Sequence, residues 1–213
     1  MDEHPPAPVP DGPTLAGLRA AVHDCRACDL YEGTTQPVMG EGARSAAVML
    51  VGEQPGDRED QAGHPFVGPA GRVLDQGLER AGIDPDTAYI TNAVKHFRYK
   101  LRGKRRIHQK PDRWHVSACL PWLRAELAVV QPSALVCLGA TAAQSLLGPQ
   151  VRIGRDRGQP MESDLAQLET LTTHPSAILR AGEDEDRQAA MDQFVADLRT
   201  VATWLAKHPN GRG

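Results

Sequence analysis

Four short runs with strand character constrain the fold of this 213-residue chain more than any other feature. They cover residues 46–51, 88–93, 134–138 and 168–173. The first is continuously apolar and ends in glycine, which is typical of a strand buried on both faces of a parallel sheet. Patterns with helical spacing lie before, between and after these runs, at residues 15–22, 70–81, 116–130, 141–147 and 184–205. The alternation predicts an α/β fold, a three-layer α/β/α sandwich around a short four-stranded parallel sheet.

Length and composition predict one domain. A chain of 213 residues with 40% hydrophobic residues can build a full core. Residues 1–12 are rich in proline and poor in core-forming side chains, so we expect a flexible tail there, a domain over 13–206 and a C-terminal tail over 207–213. No apolar run reaches the roughly 18 residues that span a bilayer, and the N-terminus does not resemble a signal peptide. We therefore expect a cytoplasmic protein with no membrane partner.

Polar and glycine-rich loops follow three of the four predicted strands. Residues 52–60 follow the first strand, Asn92 lies at the end of the second, and His174 comes directly after the fourth. Ligands in parallel α/β folds bind beyond the carboxyl ends of the strands, so we expect these loops to form one site. Glu53 offers a carboxylate for acid–base chemistry, and Phe66, flanked by glycine and proline, offers a surface for stacking. Each loop alone is equally consistent with an ordinary surface turn.

A strongly basic stretch covers residues 95–113. It contains nine of the 24 Lys and Arg residues and one acid, Asp112, so it carries +8 while the whole chain carries −3. A local surplus of this size predicts an anion-binding surface, with nucleic acid as the expected partner. Phe97 and Tyr99 are interspersed in the stretch, as aromatic residues are in proteins that bind single strands. The stretch is also consistent with a solvated loop that has no partner.

One histidine of the basic stretch, His108, follows Lys104, Arg105 and Arg106. Neighbouring positive charges disfavour protonation, so we expect a neutral imidazole with a free lone pair at pH 7. Beside a phosphate-binding surface, such a ring is a candidate nucleophile or base.

The four cysteines predict a metal or cluster site. Cys25 and Cys28 form a C-x-x-C motif, whereas Cys119 and Cys137 lie in a predicted helix and a predicted strand. Structural disulfides are not expected in a reducing compartment, and four thiols match the ligand count of an iron–sulfur cluster or a zinc ion. Cys119 and Cys137 are also consistent with small core residues, and the spacing does not distinguish iron from zinc.

Together these segments resemble the uracil-DNA glycosylase superfamily, specifically its iron–sulfur family 4. The resemblance extends from about Cys25 to Arg180. It is carried by the four cysteines and by GEQPGDREDQAGHPFVGPAGRVLD at 52–75, TNAVKH at 91–96 and HPSAILR at 174–180. It implies a [4Fe–4S] cluster bound by Cys25, Cys28, Cys119 and Cys137.

Two departures from the usual family 4 pattern narrow the resemblance. Gln54 stands where family 4 usually has alanine, and the basic stretch with KRRIH at 104–108 replaces a short proline-containing segment. Both features are similar to the UdgX branch, whose members cross-link themselves to uracil-containing DNA through the histidine of that loop. The resemblance therefore implies uracil excision followed by a covalent bond between His108 and C1′ of the deoxyribose.

The resemblance also implies a role for each site residue. Gly52 and Phe66 would line the uracil pocket, and the Asn92 amide would read the Watson–Crick edge of the base. His174 would stabilise the uracil anion, whereas Glu53 would either orient His108 or stabilise the cationic sugar. Gln54 would position the loop or the base. Contacts with DNA phosphates are expected from Lys104, Arg105, Arg106 and Arg180.

The expected partner is uracil-containing DNA, single-stranded or double-stranded, with free uracil as product and the protein acting as a monomer. Two alternatives fit much of the same pattern. A conventional family 4 glycosylase would release uracil with multiple turnover and use the basic stretch only to grip DNA. A non-catalytic iron–sulfur module would bind DNA without needing a histidine that stabilises an anion.

Overall fold

A five-stranded sheet forms the centre of the computed structural model, which describes residues 5–161 and 163–208. The strand order is β1-β3-β2-β6-β7, and a separate hairpin joins β4 and β5. The strands are β1 (Glu41–Gly42), β2 (Val48–Gly52), β3 (Ala88–Asn92), β4 (Tyr99–Arg102), β5 (Arg105–His108), β6 (Ala134–Leu138) and β7 (Leu168–Thr172).

The four predicted strands correspond to β2, β3, β6 and β7, and these four are parallel to one another. The predicted α/β sandwich is confirmed. Every residue of β2, β6 and β7 is buried, because helices cover both faces of the sheet. The sequence prediction missed β1, a two-residue antiparallel edge strand that is too short to carry a hydrophobic pattern.

Eight α-helices connect the strands in the described ranges. They are α1 (Leu15–Ala21), α2 (Asp57–Ala62), α3 (Pro69–Ala81), α4 (Arg113–Val130), α5 (Ala140–Leu146), α6 (Ile153–Asp156), α7 (Pro175–Leu179) and α8 (Asp184–Lys207). The bounds of α3 follow from local chemistry. It begins with Pro69, directly after Gly68, at a position where the backbone N–H has no partner within the helix. It ends at Ala81, and the next residue, Gly82, has a φ of 82°, a conformation that favours glycine.

The helices pack in two layers. On one face of the sheet, Leu74 and Leu78 of α3 and Phe194 of α8 pack against Val48 and Val136. On the other face, α4 and α5 pack against the opposite side chains of the same strands, and α1 packs beside α4. Burial of each large apolar side chain contributes roughly 1.5–3 kcal/mol to the stability of the fold. Packing of both layers against the sheet therefore fixes the positions of the strand ends.

The basic stretch, predicted as a loop, is largely a β-hairpin. Tyr99 pairs with His108 and Arg102 with Arg105. The two-residue turn begins with Gly103 at a φ of 61°, a conformation that glycine adopts at no steric cost. The sequence pattern concealed the hairpin because charged residues occupy most of its positions.

The termini differ partly from the predicted tails. Ala7 and Val9 pack against the core beside α1, whereas residues 1–4 lie outside the described residues. At the other end, α8 continues to Lys207, and residues 209–213 also lie outside the described residues. No helix in the described ranges has both the length and the apolar character needed to cross a membrane.

Candidate active site

The carboxyl ends of the parallel strands border a cavity of about 920 Å³. Its lining combines residues from the loop after β2, the end of β3, the turn after β6 and the segment after β7, together with the end of the hairpin. Predicted site residues in this lining are Glu53, Gln54, Phe66, Asn92, His108, His174 and Arg180. The predicted convergence of three loops on one rim is therefore found in the structure.

Tight packing around Phe66 shapes one wall of the cavity. Phe66 has a φ of 55°, which is rare outside glycine, and its ring stacks against the His174 ring with centroids 6.0 Å apart. A side chain at Gly71 would overlap the Phe66 carbonyl oxygen. A Cβ at Gly52 would overlap Asn92 Oδ1 and lie 2.7 Å from Phe66 Cζ. These glycines therefore allow the ring and the amide to approach each other closely.

Asn92 presents an unused acceptor in this cavity. The residue is 2% exposed, and its Oδ1 has no hydrogen-bond partner in the described part of the chain. A buried acceptor without a partner is uncommon and costs roughly 1–3 kcal/mol until a donor reaches it. The arrangement therefore favours an occupant that brings an N–H group to this atom.

A buried ion pair supports Asn92 from behind. Lys95 Nζ donates to the Asn92 carbonyl oxygen at 2.7 Å, to Thr91 Oγ1 at 2.8 Å and to Glu126 Oε2 at 2.6 Å. The Lys95 and Glu126 side chains are both 0% exposed. Lys95 was counted with the basic surface in the sequence, but its charge is neutralised inside the protein by a residue of α4.

His174 is held as a neutral hydrogen-bond donor. Burial of the ring and the nearby Arg180 charge lower its pKa to about 4. Its Nδ1 accepts from the Ser176 N–H at 3.2 Å and lies 2.9 Å from Ser176 Oγ, which in turn accepts from Arg180. Because Nδ1 serves as an acceptor, the ring proton resides on Nε2, which is left to donate.

His108 and Glu53 lie next to each other in the cavity. His108 Nε2 is 3.5 Å from Glu53 Oε1, and the His108 side chain is 51% exposed. Desolvation lowers the pKa of His108, the Glu53 charge raises it and Arg180 lowers it, with a net decrease. This direction agrees with the predicted neutral ring, but its causes are desolvation and Arg180 rather than the preceding Lys104, Arg105 and Arg106.

Gln54 closes the base of the hairpin. Its Nε2 donates to the carbonyl oxygens of Arg98 at 3.2 Å and Gln109 at 3.0 Å, and its Oε1 accepts from the Arg98 N–H at 3.1 Å. One buried side chain therefore fixes both ends of the segment that carries His108. Of the two predicted roles for Gln54, the contacts favour positioning of the loop.

Arg106 attaches the hairpin to α2. Its Nε donates to Asp57 Oδ1 at 2.5 Å and its Nη1 to Asp60 Oδ2 at 2.6 Å. The Arg106 side chain is 17% exposed and Asp60 is 0% exposed. This position corrects the prediction that Arg106 contacts DNA phosphates, because its guanidinium already binds two carboxylates. Lys104 and Arg105, in contrast, are exposed at the tip.

The aromatic residues of the basic stretch also have a structural position. Phe97 is 2% exposed and stacks against Tyr99, with ring centroids 5.3 Å apart. The Arg106 guanidinium lies over both rings, and the Tyr99 hydroxyl donates to the Gly33 carbonyl oxygen at 2.6 Å. The two rings therefore pack beneath the hairpin, where they support its fold.

Three of the four cysteines share one part of the core. Cys25, Cys28 and Cys119 are buried; burial raises the pKa of Cys119 to about 12, Lys95 opposes the shift, and electrostatic interaction with Cys28 and Cys25 adds to it. Cys137, near the end of β6, belongs to a different cluster, where burial and Glu169 raise its pKa. The structure therefore separates Cys137 from the predicted ligand set.

A buried histidine lies in the segment that contacts Cys119. His96 is 5% exposed, and it follows Lys95, whose backbone N–H donates to Cys119 Sγ at 3.2 Å. The pKa of His96 is lowered to about 4, mainly by burial; Arg26 of the C-x-x-C motif and His23 also lower it, whereas Asp60 raises it. No three His, Cys, Asp or Glu side chains of the described residues converge on one point, as they would around a single metal ion.

Several residues of the site were not predicted from the sequence. Thr141 donates to Glu53, Glu126 pairs with Lys95, and buried His96 follows the Lys95 N–H that contacts Cys119. The first two partners are separated by 88 and 31 positions, so local patterns carry no signal for them. His96 could have been found as a metal-ligating residue type within the TNAVKH segment.

Comparisons with known proteins give matches over most of the chain. The profile described as the uracil DNA glycosylase superfamily matches residues 39–199. A type-4 uracil-DNA glycosylase of Pyrobaculum aerophilum is 34% identical over 191 residues, which cover 86% of this chain and 91% of that protein. Type-4 uracil-DNA glycosylases of Thermotoga maritima and Archaeoglobus fulgidus are 34% and 37% identical, over 87% and 91% of this chain and 92% and 94% of theirs.

Proposed function

The chain belongs to the uracil DNA glycosylase superfamily, and on that basis we propose that it excises uracil from DNA and then captures the sugar covalently through His108. The similarity to type-4 enzymes supports excision. One observation carries the capture step: a hairpin places His108, with its lowered pKa, beside Glu53 in the cavity that Asn92 and His174 also line.

Recognition of uracil depends on the Asn92 amide. Its unpartnered Oδ1 accepts the N3–H of uracil, and its amide nitrogen donates to O4. Cytosine presents an acceptor at N3 and a donor at N4, so both contacts would be mismatched. Phe66 stacks on the flipped base. Because Gly52 has no side chain, the space between the Phe66 ring and the Asn92 amide stays open for the base.

Gly52→Ala is expected to slow uracil release about 10- to 100-fold, because overpacking of a filled site typically costs roughly 1–3 kcal/mol. The added methyl group would displace Asn92 or Phe66. Single-turnover release of uracil from a labelled oligonucleotide measures the effect. Gly154→Ala is the matched control, because no atom lies within 4 Å of a Cβ at that position. Release at the wild-type rate by Gly52→Ala would contradict the assigned base position.

Departure of the base is assisted by His174. As the bond between C1′ and N1 breaks, its electron pair leaves with uracil and the sugar becomes cationic. His174 Nε2–H donates to the O2 atom of the uracil anion, and a positioned donor of this kind is typically worth roughly 10²- to 10³-fold in rate. The depressed pKa keeps this donor neutral at pH 7.

Capture of the sugar forms a bond between a ring nitrogen of His108 and C1′. The nitrogen lone pair supplies the bonding electrons, and the ring then loses its N–H proton. Glu53, whose Oε1 is 3.5 Å from His108 Nε2, is the adjacent acceptor for that proton. The uracil anion takes up one proton, so the products are neutral uracil and an imidazole-linked sugar. Each protein molecule reacts once.

DNA phosphates bind the exposed cations around the cavity. Lys104 and Arg105 extend from the hairpin tip, and Arg180, also exposed, lies on the His174 side of the cavity. Contacts of this kind fix the register of the backbone without reading sequence. Arg106 is excluded from this set because Asp57 and Asp60 already bind it.

A [4Fe–4S] cluster fits Cys25, Cys28, Cys119 and His96 better than it fits four cysteines. Cys25 and Cys119 pack in one hydrophobic cluster, and Cys28 interacts electrostatically with both. Two of these sulfurs receive N–H donors of the kind that surround cluster sulfurs: Lys95 N donates to Cys119 Sγ and Trp122 Nε1 to Cys25 Sγ, both at 3.2 Å. The low pKa of His96 leaves a lone pair for iron. When bound, the cluster supplies bonds that join the C-x-x-C segment, the segment after β3 and α4.

We expect Cys119→Ala and His96→Ala to lose most bound iron, whereas Cys137→Ala retains it. Iron and acid-labile sulfide per chain give the readout, and His96→Cys should restore binding because thiolate is an alternative iron ligand. Loss of iron in Cys137→Ala with full retention in His96→Ala would support the four-cysteine set instead. Far-ultraviolet circular dichroism checks that each variant is folded.

The proposed function is tested by mixing the protein with a labelled uracil-containing oligonucleotide and boiling the mixture in detergent. A shifted band that is absent with a thymine control, followed by a modified His108 peptide in mass spectrometry, is the expected result. A strand that breaks in hot alkali without a shifted band would identify a conventional multiple-turnover glycosylase. Neither product would identify a non-catalytic DNA-binding module.

A further inference from the structure

The turn between β6 and α5 contacts two residues of the cavity, His174 and Glu53. Gly139 has a φ of 90°, and its N–H donates to the Thr172 carbonyl oxygen at 2.9 Å. A Cβ at Gly139 would lie 3.0 Å from His174 Cβ, so this turn packs directly beneath the histidine. Two residues later, Thr141 is 8% exposed and lies in the cavity lining.

Thr141 makes a single directed contact with Glu53. Its hydroxyl donates to Glu53 Oε2, and no other side chain of the described ranges donates a hydrogen bond to that carboxylate. The remaining oxygen, Oε1, is the one that faces His108 at 3.5 Å. The two oxygens therefore have separate partners.

The anchor matters because a glutamate side chain is flexible. Glu53 is 21% exposed, so water could solvate its carboxylate in several rotamers. Thr141 is fixed by its place near the beginning of α5, and its β-branched side chain has few rotamers. A hydrogen bond to a charged acceptor is among the stronger ones in proteins, so it holds one carboxylate orientation.

We propose that Thr141 is a positioning residue that fixes Glu53 against His108 and thereby directs the sugar toward covalent capture rather than attack by water. This inference rests on the proposed function. An anchored Oε1 is in place to take the ring proton as the bond to C1′ forms. A mobile carboxylate would occupy that position only part of the time, which slows capture by His108. Attack on the sugar by water in the open cavity does not depend on the position of Glu53.

The experiment compares Thr141→Val, which keeps the shape but removes the donor, with Thr141→Ser, which keeps the hydroxyl. Both are mixed in excess with uracil-containing oligonucleotide under single-turnover conditions. Two quantities are measured: the rate constant of adduct formation, and the fraction of excised sites found as adduct rather than as alkali-labile abasic DNA. Thr87→Val, at the opposite end of β3 from Asn92, is the matched control.

For Thr141→Val we expect adduct formation to slow about tenfold or more, in keeping with the loss of a hydrogen bond to a charged group. The adduct fraction should fall, and the DNA concentration that gives half-maximal rate should not change. Thr141→Ser should recover most of the rate. Thr141→Ala serves the same comparison if the valine variant does not fold.

Equal rates and adduct fractions in wild type and Thr141→Val would overturn the inference. So would a serine variant as impaired as the valine variant, because that pattern indicates packing rather than hydrogen bonding. Failure of the proposed function is distinct, since wild-type protein itself would then form no adduct.

Discussion

His108→Ala is expected to reduce the detergent-resistant DNA adduct to background while uracil is still released. The substitution removes the lone pair that bonds to C1′, and it vacates space beside Glu53 that water can enter. Asn92, Phe66 and His174 are unchanged, so base recognition and departure continue. The excised sites should then be alkali-labile, and uracil release should exceed one per protein molecule. A denaturing gel and a time course of uracil release measure the two products.

His64→Ala is the matched control for this prediction. His64 is 59% exposed on its side chain, pairs with Glu41 at 2.6 Å and lies outside the cavity lining. It should form adduct at the wild-type rate. A full yield of adduct from His108→Ala would instead assign the cross-link to another residue.

Arg106→Gln is expected to slow adduct formation about 10- to 100-fold, since each hydrogen bond between charged groups contributes roughly 1.5–3 kcal/mol. The variant leaves Asp57 and Asp60 without their cation, and Asp60 is fully buried. The hairpin loses its attachment to α2, so His108 occupies its place beside Glu53 for less of the time. Uracil release should change less than adduct formation, because Asn92 at the end of β3 and His174 just after β7 lie outside the hairpin.

Arg105→Gln provides the control for Arg106→Gln. Arg105 is the preceding residue, has the same charge and is exposed on the hairpin. Its loss should weaken DNA binding and reduce the salt dependence of the binding affinity by the equivalent of about one phosphate contact. A saturating concentration of DNA should restore the rate of adduct formation. If saturating DNA also restored Arg106→Gln, Arg106 would act through phosphate binding as the sequence alone suggested.

The sheet and the site at its carboxyl edge could be predicted because both depend on short-range patterns. A continuous apolar run followed by glycine identifies β2, and parallel strands bring Glu53, Asn92 and His174 to one edge. The hairpin could not be predicted in the same way. Its residues Tyr99 and Arg106 pack on the Phe97 ring, and no aliphatic side chain takes their place, so its alternation has no hydrophobic signature.

The sequence misled about the exposure of charged residues whose oppositely charged partners lie far along the chain. Lys95 and Arg106 were interpreted as surface cations, but Glu126 and Asp60 neutralise them from 31 and 46 positions away. The four cysteines that the sequence groups by count lie in two parts of the core. Cys137 packs in the sheet core, whereas Cys119 interacts electrostatically with Cys25 and Cys28.

Gln54 brings residues 98 and 109 together on one side chain, so the hairpin leaves and rejoins the protein at a single point. Under the proposed function, the residues that bind the base come from the sheet and its loops, whereas the nucleophile His108 comes from a hairpin of about ten residues between those two positions. Uracil recognition and covalent capture are then carried by separate segments of the chain. On that proposal, exchange of this short segment changes the fate of the excised sugar without any change to the scaffold that binds uracil.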